Sequence, residues 1–271
     1  MRSIPAARSW TMGLAMVALA IPSCAKVPIT GRSQLNLIPQ SEMLSMSASQ
    51  YSDFLKTNPE SNDAAGKALV VKVGTNIQHA VETYMASKGL SDKIKDFHWE
   101  FHLVESKEVN AWCMPGGKVV VYTGILPVTQ TEAGLAVVLG HEIGHAIAQH
   151  GNERMSQGLV TQLGGMGLSA ALSKHPQQTQ TLWMSAFGAG AQYGAILPFS
   201  RLQESEADHI GLILMAMAGY DPHEAATFWQ RMATSGGQKP PEIESTHPSD
   251  EHRIADIQKE IPEAMKYYKQ G

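Results

Sequence analysis

The sequence predicts an α+β fold, mainly helical, with a small sheet beside one buried helix. Three observations carry this. The stretch from Thr131 to Ala148 is apolar and lacks Pro, with no charge before Glu142 except Glu132, as in a helix buried on nearly every side. Phe97 to Glu105 alternates: Phe97, Trp99, Phe101 and Leu103 face one way, and His98, Glu100 and His102 the other, the pattern of a half-buried strand. Several further stretches carry helix start and stop signals.

The chain has 271 residues, enough for one domain with a real core but not for two large ones. Its formal net charge is −4 and no basic stripe is present, which argues against a nucleic-acid partner.

The elements follow in order. Arg2 and Arg8 precede an apolar core from Thr11 to Ile21, too short to span a bilayer comfortably, and Ile21-Pro22-Ser23-Cys24 reads as a lipobox. Residues 1–23 are therefore expected to be a signal peptide and Cys24 a lipidation site. An ordinary cleaved signal is the plainer reading. Ala25, not Asp, follows the Cys, so the expected address is periplasmic, anchored to the outer membrane as a lipoprotein. Residues 24–60 are expected to form the tether and an N-terminal helix, with Lys26 to Pro39 polar and turn-rich and Ser41 capping a helix to Lys56. Residues 61–271 then form the main domain.

Ala64 to Lys88 reads as an amphipathic helix stopped by Gly89. After the Phe97 strand, Val109–Met114 and Lys118–Thr123 are strands around the turn Pro115-Gly116-Gly117. Thr129 and Glu132 make a capping box for a helix from about Gln130 to about His150, ended by Gly151. Met155 to Ser200 is rich in Gly, Ala, Met and Gln, without Lys, Arg, Asp or Glu between Lys174 and Arg201. Its glutamines disfavour a membrane span and favour helices packed over the site, as a lid near a membrane surface. A helix from Ser200 stops at Gly219, another starts at Asp221-Pro222, Ser235 to Pro248 is a loop, and Pro248 to Glu260 is a last helix.

The buried helix contains His141-Glu142-Ile143-Gly144-His145, the H-E-x-x-H arrangement of zinc metalloproteases. Residues four apart share one helix face, so both imidazoles can bind one Zn²⁺ ion, with Glu142 able to reach the water on it. A catalytic zinc usually takes three protein ligands and leaves one position for water. The metzincin third ligand is excluded, because Gly151 and Ala148 occupy the positions of its His and Gly. On an unbroken helix His150 points away and reads as a surface or supporting polar group. Glu204 is the preferred third ligand, and Asp208, one turn on, is the carboxylate that holds a ligand imidazole. The plainer reading of Glu204, Glu206 and Asp208 is a solvated acidic face. His247 is a third candidate with three open readings: a reversible ligand that blocks the water position, a substrate-side hydrogen-bond donor, or a loop residue. Arg253 is a candidate oxyanion donor or an ion-pair partner. His98 and His102 are expected on the solvent side of their strand, away from any metal.

These motifs together resemble peptidase family M48, the gluzincin group of the HtpX, Oma and CAAX-prenyl-protease type. The resemblance rests on His141-Glu142-Ile143-Gly144-His145, on Ser200-Arg201-x-x-Glu204-x-Glu206-Ala207-Asp208, and on Thr246-His247-Pro248-Ser249 with Arg253. Pro28-Ile29-Thr30-Gly31-Arg32 to Leu37 is similar to the segment that opens its bacterial lipoprotein branch, the LoiP- and BepA-like proteins. Asn110-Ala111-Trp112-Cys113-Met114-Pro115-Gly116-Gly117 is similar to its strand and turn. Cys113 departs from the expected small or apolar residue, and no C-terminal helical-repeat domain is expected. The resemblance implies a gluzincin-type zinc endopeptidase acting on misfolded, membrane or outer-envelope proteins. One Zn²⁺ per chain is then held by His141, His145 and Glu204, with Glu142 as the catalytic base and His247 as a gate. Asn110, Ala111 and Trp112 are the candidate edge strand for a substrate backbone, beside the plainer reading of a hairpin strand. The other functional class is a latent or inactive zinc protein that binds outer-membrane proteins as a chaperone does.

Overall fold

A computed structural model describes residues 25–235 and 250–268. In chain order the elements are β1 (Ala25–Lys26), β2 (Ser33–Gln34), α1 (Gln40–Thr57), α2 (Ala64–Ser87), β3 (Glu100–Val104), β4 (Ala111–Met114), β5 (Lys118–Tyr122), the short α3 (Leu126–Thr129), α4 (Glu132–Ile147), α5 (His150–Leu172), α6 (Gln177–Ala191), α7 (Leu197–Met217), α8 (Glu224–Ser235) and α9 (Asp250–Ala264). The mainly helical α+β architecture is as the sequence predicts. Residues 1–23, expected to be a signal peptide, lie outside the described residues, as do Cys24 and His247.

The sheet has the order β3-β5-β4, with β3 parallel and β4 antiparallel to the central β5. The middle of β5, Val119-Val120-Val121, is fully buried, as a central strand covered on both faces should be. Leu103 and Val119 belong to the main core with α2 and α4. The opposite face packs Val104 and Val120 against Tyr51, with Phe54, Leu55 and Trp112 around them. That face was expected to be solvated. Instead α1 covers it, and His102 meets the Tyr51 ring edge-on at 5.8 Å and pairs with Glu60.

α4 and α7 form the centre, and their spacing is set by small residues. A methyl group on Gly140 would lie 2.8 Å from the Gly211 carbonyl oxygen, and one on Gly144 would lie 3.0 Å from the Ala207 carbonyl oxygen. The two backbones therefore touch, closer than a seam of larger side chains allows. This approach carries Glu204 and Asp208 of α7 to the face of α4 that bears His141 and His145.

Four local expectations change. The cap of α4 is Thr131, whose hydroxyl accepts from Gly134 N at 2.9 Å; the Thr129 hydroxyl donates instead to Leu126 O at 3.0 Å. α4 does not run on to His150: Gln149 takes φ +58°, the chain turns, and Gly151 sits inside the next helix. α7 begins at Leu197, with Pro198 in its first turn, so Ser200 is not its cap. Lys26 to Pro39 is not a loose tether. β1 pairs with β2, Val27 is 2% exposed, and the segment folds back against the start of α5 and against Glu206 in the middle of α7.

The first turns of α5 are buried through His150, Asn152, Glu153 and Ser156, but most of the Met155 to Ser200 stretch that was expected to pack over the site does not. Beyond them α5 and α6 run out as a hairpin that leaves Leu163, Met166, Leu182 and Trp183 exposed. Among the described residues, no helix is long and apolar enough to cross a membrane.

Candidate metal centre

His141 and His145 lie one turn apart on α4, and their rings meet edge to face with centroids 4.6 Å apart. Their Nε2 atoms are 3.1 Å apart. From α7, Glu204 brings Oε2 to 3.5 Å from His141 Nε2 and Oε1 to 3.3 Å from His145 Nε2. The donor atoms of these three residues lie within 4.8 Å of one another. Two imidazoles and a carboxylate, buried or half-buried, converge on one point.

Each imidazole is held through its other nitrogen. His141 Nδ1 donates to Asp208 Oδ1 at 2.8 Å. Arg253 grips the same carboxylate with both ends of its fork, Nε to Oδ2 at 2.7 Å and an amino group to Oδ1 at 2.7 Å. The guanidinium is 5% exposed and lies over the Trp229 ring, 3.4 Å from its centroid. Arg253 thus stands in the geometry of an ion-pair partner that orients Asp208. Asp208 is held below the usual carboxylate range: burial opposes its ionisation, and Arg253 and His141 outweigh that opposition.

His145 is held by a longer route. Its Nδ1 lies 2.8 Å from His150 Nδ1, and His150 Nε2 lies 3.0 Å from Glu206 Oε2. Glu206 in turn accepts from Thr30 Oγ1, and from Arg32 Nε at 2.7 Å. None of Thr30, Arg32 or Glu206 stood out as a site residue in the sequence. His150 did, as a surface or supporting group. It is 0% exposed, because the left-handed Gln149 turns it back toward α4.

Glu142 is half-buried, next to the triad in sequence and field. Burial pushes its carboxyl up to about 7, opposed by His141 and reinforced by Glu204. Cys113 lies close enough for the Glu142 charge to raise its thiol further, on top of the dominant desolvation. The thiol therefore stays protonated, a poor metal ligand and a poor nucleophile. A cavity of about 80 Å³ opens beside His145, walled by Met43, Leu44, Phe97, Cys113 and Pro115.

β4 is one of the two outer strands of the sheet and packs along α4. Tyr122 N donates to Asn110 O at 3.1 Å. By antiparallel alternation Trp112 also pairs with β5, while Ala111 and Cys113 turn their backbone groups to the open edge. Among Asn110, Ala111 and Trp112, only Ala111 is edge-facing by this register, and the Asn110 side chain accepts from its N–H at 2.9 Å.

An HExxH helix crossed by a Glu-bearing helix, beside a three-stranded sheet, defines a metallopeptidase-type domain. The chain belongs to Peptidase family M48, which residues 72–261 match. It is 38% identical over 191 residues to the mitochondrial metalloendopeptidase OMA1 of Schizosaccharomyces pombe, covering 70% of this chain and 53% of that protein. It is 31% identical over 262 residues to the mitochondrial metalloendopeptidase OMA1 of Homo sapiens, covering 94% of this chain and 49% of that protein. With the β-barrel assembly-enhancing protease of Yersinia pestis it shares 35% identity over 166 residues, 59% of this chain and 33% of that one. The chain thus spans about half the length of the OMA1 proteins quoted. These relatives correct one expectation. The most similar of them are named as mitochondrial enzymes, which points away from a periplasmic lipoprotein of the outer membrane.

Proposed function

We propose that this chain is a zinc-dependent endopeptidase that cleaves misfolded or membrane proteins, as part of their quality control. The observation that carries the reading is the convergence of His141, His145 and Glu204, whose donor atoms lie within 4.8 Å of one another, with Glu142 on the same helix. This donor set fits one zinc: two neutral imidazoles and a carboxylate are a catalytic site's three ligands. Asp208 takes the Nδ1 proton of His141 in a hydrogen bond, so Nε2 keeps its lone pair toward the centre of the triad.

Zinc bound there supplies a Lewis acid for a peptide carbonyl and acidifies a water molecule. The chain's own residues do the rest. Glu142, with a carboxyl lifted by burial, accepts a proton from the attacking water and returns it to the leaving amine. Asp208 and Arg253 keep His141 in its ligand tautomer. The open edge of β4, through Ala111 and Cys113, pairs with an extended substrate backbone, which asks little of substrate side chains and suits unfolded segments. The cavity next to His145, whose walls also carry Gln40, Gln149, Asn152 and Arg154, takes one substrate side chain. The names of the relatives, metalloendopeptidase and β-barrel assembly-enhancing protease, support both the activity and the substrate class.

The test is Glu142→Gln. It should keep fold and zinc and lose at least about 100-fold in cleavage of an unfolded protein such as casein, the scale of general acid–base catalysis. Wild-type cleavage in that variant would overturn the mechanism.

A further inference from the structure

The N-terminal hairpin reaches the metal centre through hydrogen bonds whose direction can be assigned. Its turn is built by Ile29 and Gly31, both at φ +71°, and closed by Gly31 N to Val27 O at 3.0 Å and Val27 N to Arg32 O at 2.9 Å. The turn brings Thr30 and Arg32 to the same carboxylate. Thr30 donates to Glu206 Oε1 and Arg32 Nε donates to Glu206 Oε2 at 2.7 Å. The remaining Arg32 fork grips both oxygens of Glu153, each at 2.8 Å, and Gln203 Nε2 donates to Glu153 Oε2 at 2.7 Å. The carboxylate of Glu206 is thereby fixed beside His150.

Two imidazoles that meet Nδ1 to Nδ1 share one proton: one ring donates and the other accepts. If His145 offers Nε2 to a metal, its proton is on Nδ1, and His150 must accept there. The proton of His150 is then on Nε2, and needs an acceptor, because this ring has no exposed surface. Glu206 Oε2, 3.0 Å away, is that acceptor. Without it His150 gains by reversing its tautomer and donating from Nδ1, which moves the proton of His145 onto the ligand nitrogen. The two ligand imidazoles are thus backed in parallel, His141 by Asp208 and Arg253, His145 by His150, Glu206 and Arg32.

We propose that Arg32, with Thr30, is a positioning residue for the metal ligand His145, acting through Glu206 and His150. This rests on the zinc reading above and extends it to a segment that touches neither metal nor substrate.

The experiment uses the full chain: wild type, Arg32→Ala, Arg32→Lys, Glu206→Ala, and Lys26→Ala as a control whose ammonium donates to the exposed Ser33 hydroxyl. Zinc affinity is measured by chelator competition, and the visible spectrum of the cobalt(II)-loaded protein reports the ligand field. Arg32→Ala should weaken zinc binding about 10- to 100-fold, the usual effect of losing an outer partner of a ligand, and shift the cobalt bands. Arg32→Lys should recover part of this, and Lys26→Ala should match wild type. Wild-type affinity with an unchanged cobalt spectrum in Arg32→Ala would overturn the proposal, even if its melting temperature fell. Should Arg32→Ala not fold, Glu206→Ala decides: it removes the acceptor of His150 Nε2, so the same loss is expected and its absence is fatal. A wild-type chain that takes up neither zinc nor cobalt would instead overturn the zinc reading itself, and this proposal with it.

Discussion

Gly140 and Gly211 meet backbone to backbone: a methyl group on Gly211 would sit 2.8 Å from the Gly140 carbonyl carbon and 2.8 Å from His141 N. The atoms it would strike are main chain, on Gly140 and on His141, the proposed ligand. They cannot rotate away, so the helices must part. Gly211→Ala should cost about 1–3 kcal/mol in stability, the range for overpacking, despite the better helix propensity of Ala. It should also weaken zinc binding, because Glu204 moves with α7. Thermal melts with and without zinc check both effects. An alanine variant as stable as wild type, with unchanged zinc affinity, would show that this close approach does not set the ligand spacing.

The pH dependence follows from His141. Burial lowers its pKa, but Asp208 outweighs that and raises it to about 10 in the metal-free chain. A raised histidine pKa stabilises the folded state below the ordinary value near 6.5 and loses that contribution as pH rises through about 10. Burial holds His145 down to about 3, so it is neutral throughout this range. Zinc must therefore displace the proton on His141. Between pH 8 and 9, above the range where the buried Glu142 carboxyl also titrates, the apparent zinc affinity should rise by about tenfold per pH unit, with one proton released from His141 per ion. Calorimetry in buffers of different ionisation enthalpy measures the release. A flat affinity would mean that His141 is already neutral.

The edge of β4 gives a kinetic prediction. Ala111 is the first residue of an outer strand, a position where Pro is tolerated. Ala111→Pro deletes an edge-facing N–H, which the Asn110 side chain must release before a substrate can take it, and leaves the ladder to β5 in place. It should raise KM for an extended peptide several-fold, with zinc content and kcat nearly kept. An unchanged KM would remove this strand from substrate binding.

Much of this arrangement was legible in the chain. The helical period joins His141 to His145 and Glu204 to Asp208, and the apolar run around the first pair shows that its helix is buried. Some local chain signals misled. The Thr129 capping box set the start of α4 too early: Gln130 takes φ +59°, and Thr131, which gave no signal of its own, is the cap. Gly151 resembles a helix stop, yet the turn falls at Gln149, a residue with no special freedom there, and that turn is what brings His150 to His145. The grip of Arg32 on Glu206 joins residues far apart in sequence and has no periodic signature. It was visible only as two unexplained motif positions. The apolar character of β5 announces its burial, but not that α1 would cover the second face of its sheet.

The most direct test is bound zinc, counted by elemental analysis on wild type and on Glu204→Ala. The triad predicts one zinc per wild-type chain, and a Glu204→Ala protein that folds but loses most of its zinc and all detectable cleavage of an unfolded protein. A Glu204→Ala chain that keeps a full equivalent of zinc and cleaves at the wild-type rate would contradict the assignment of that carboxylate as the third ligand.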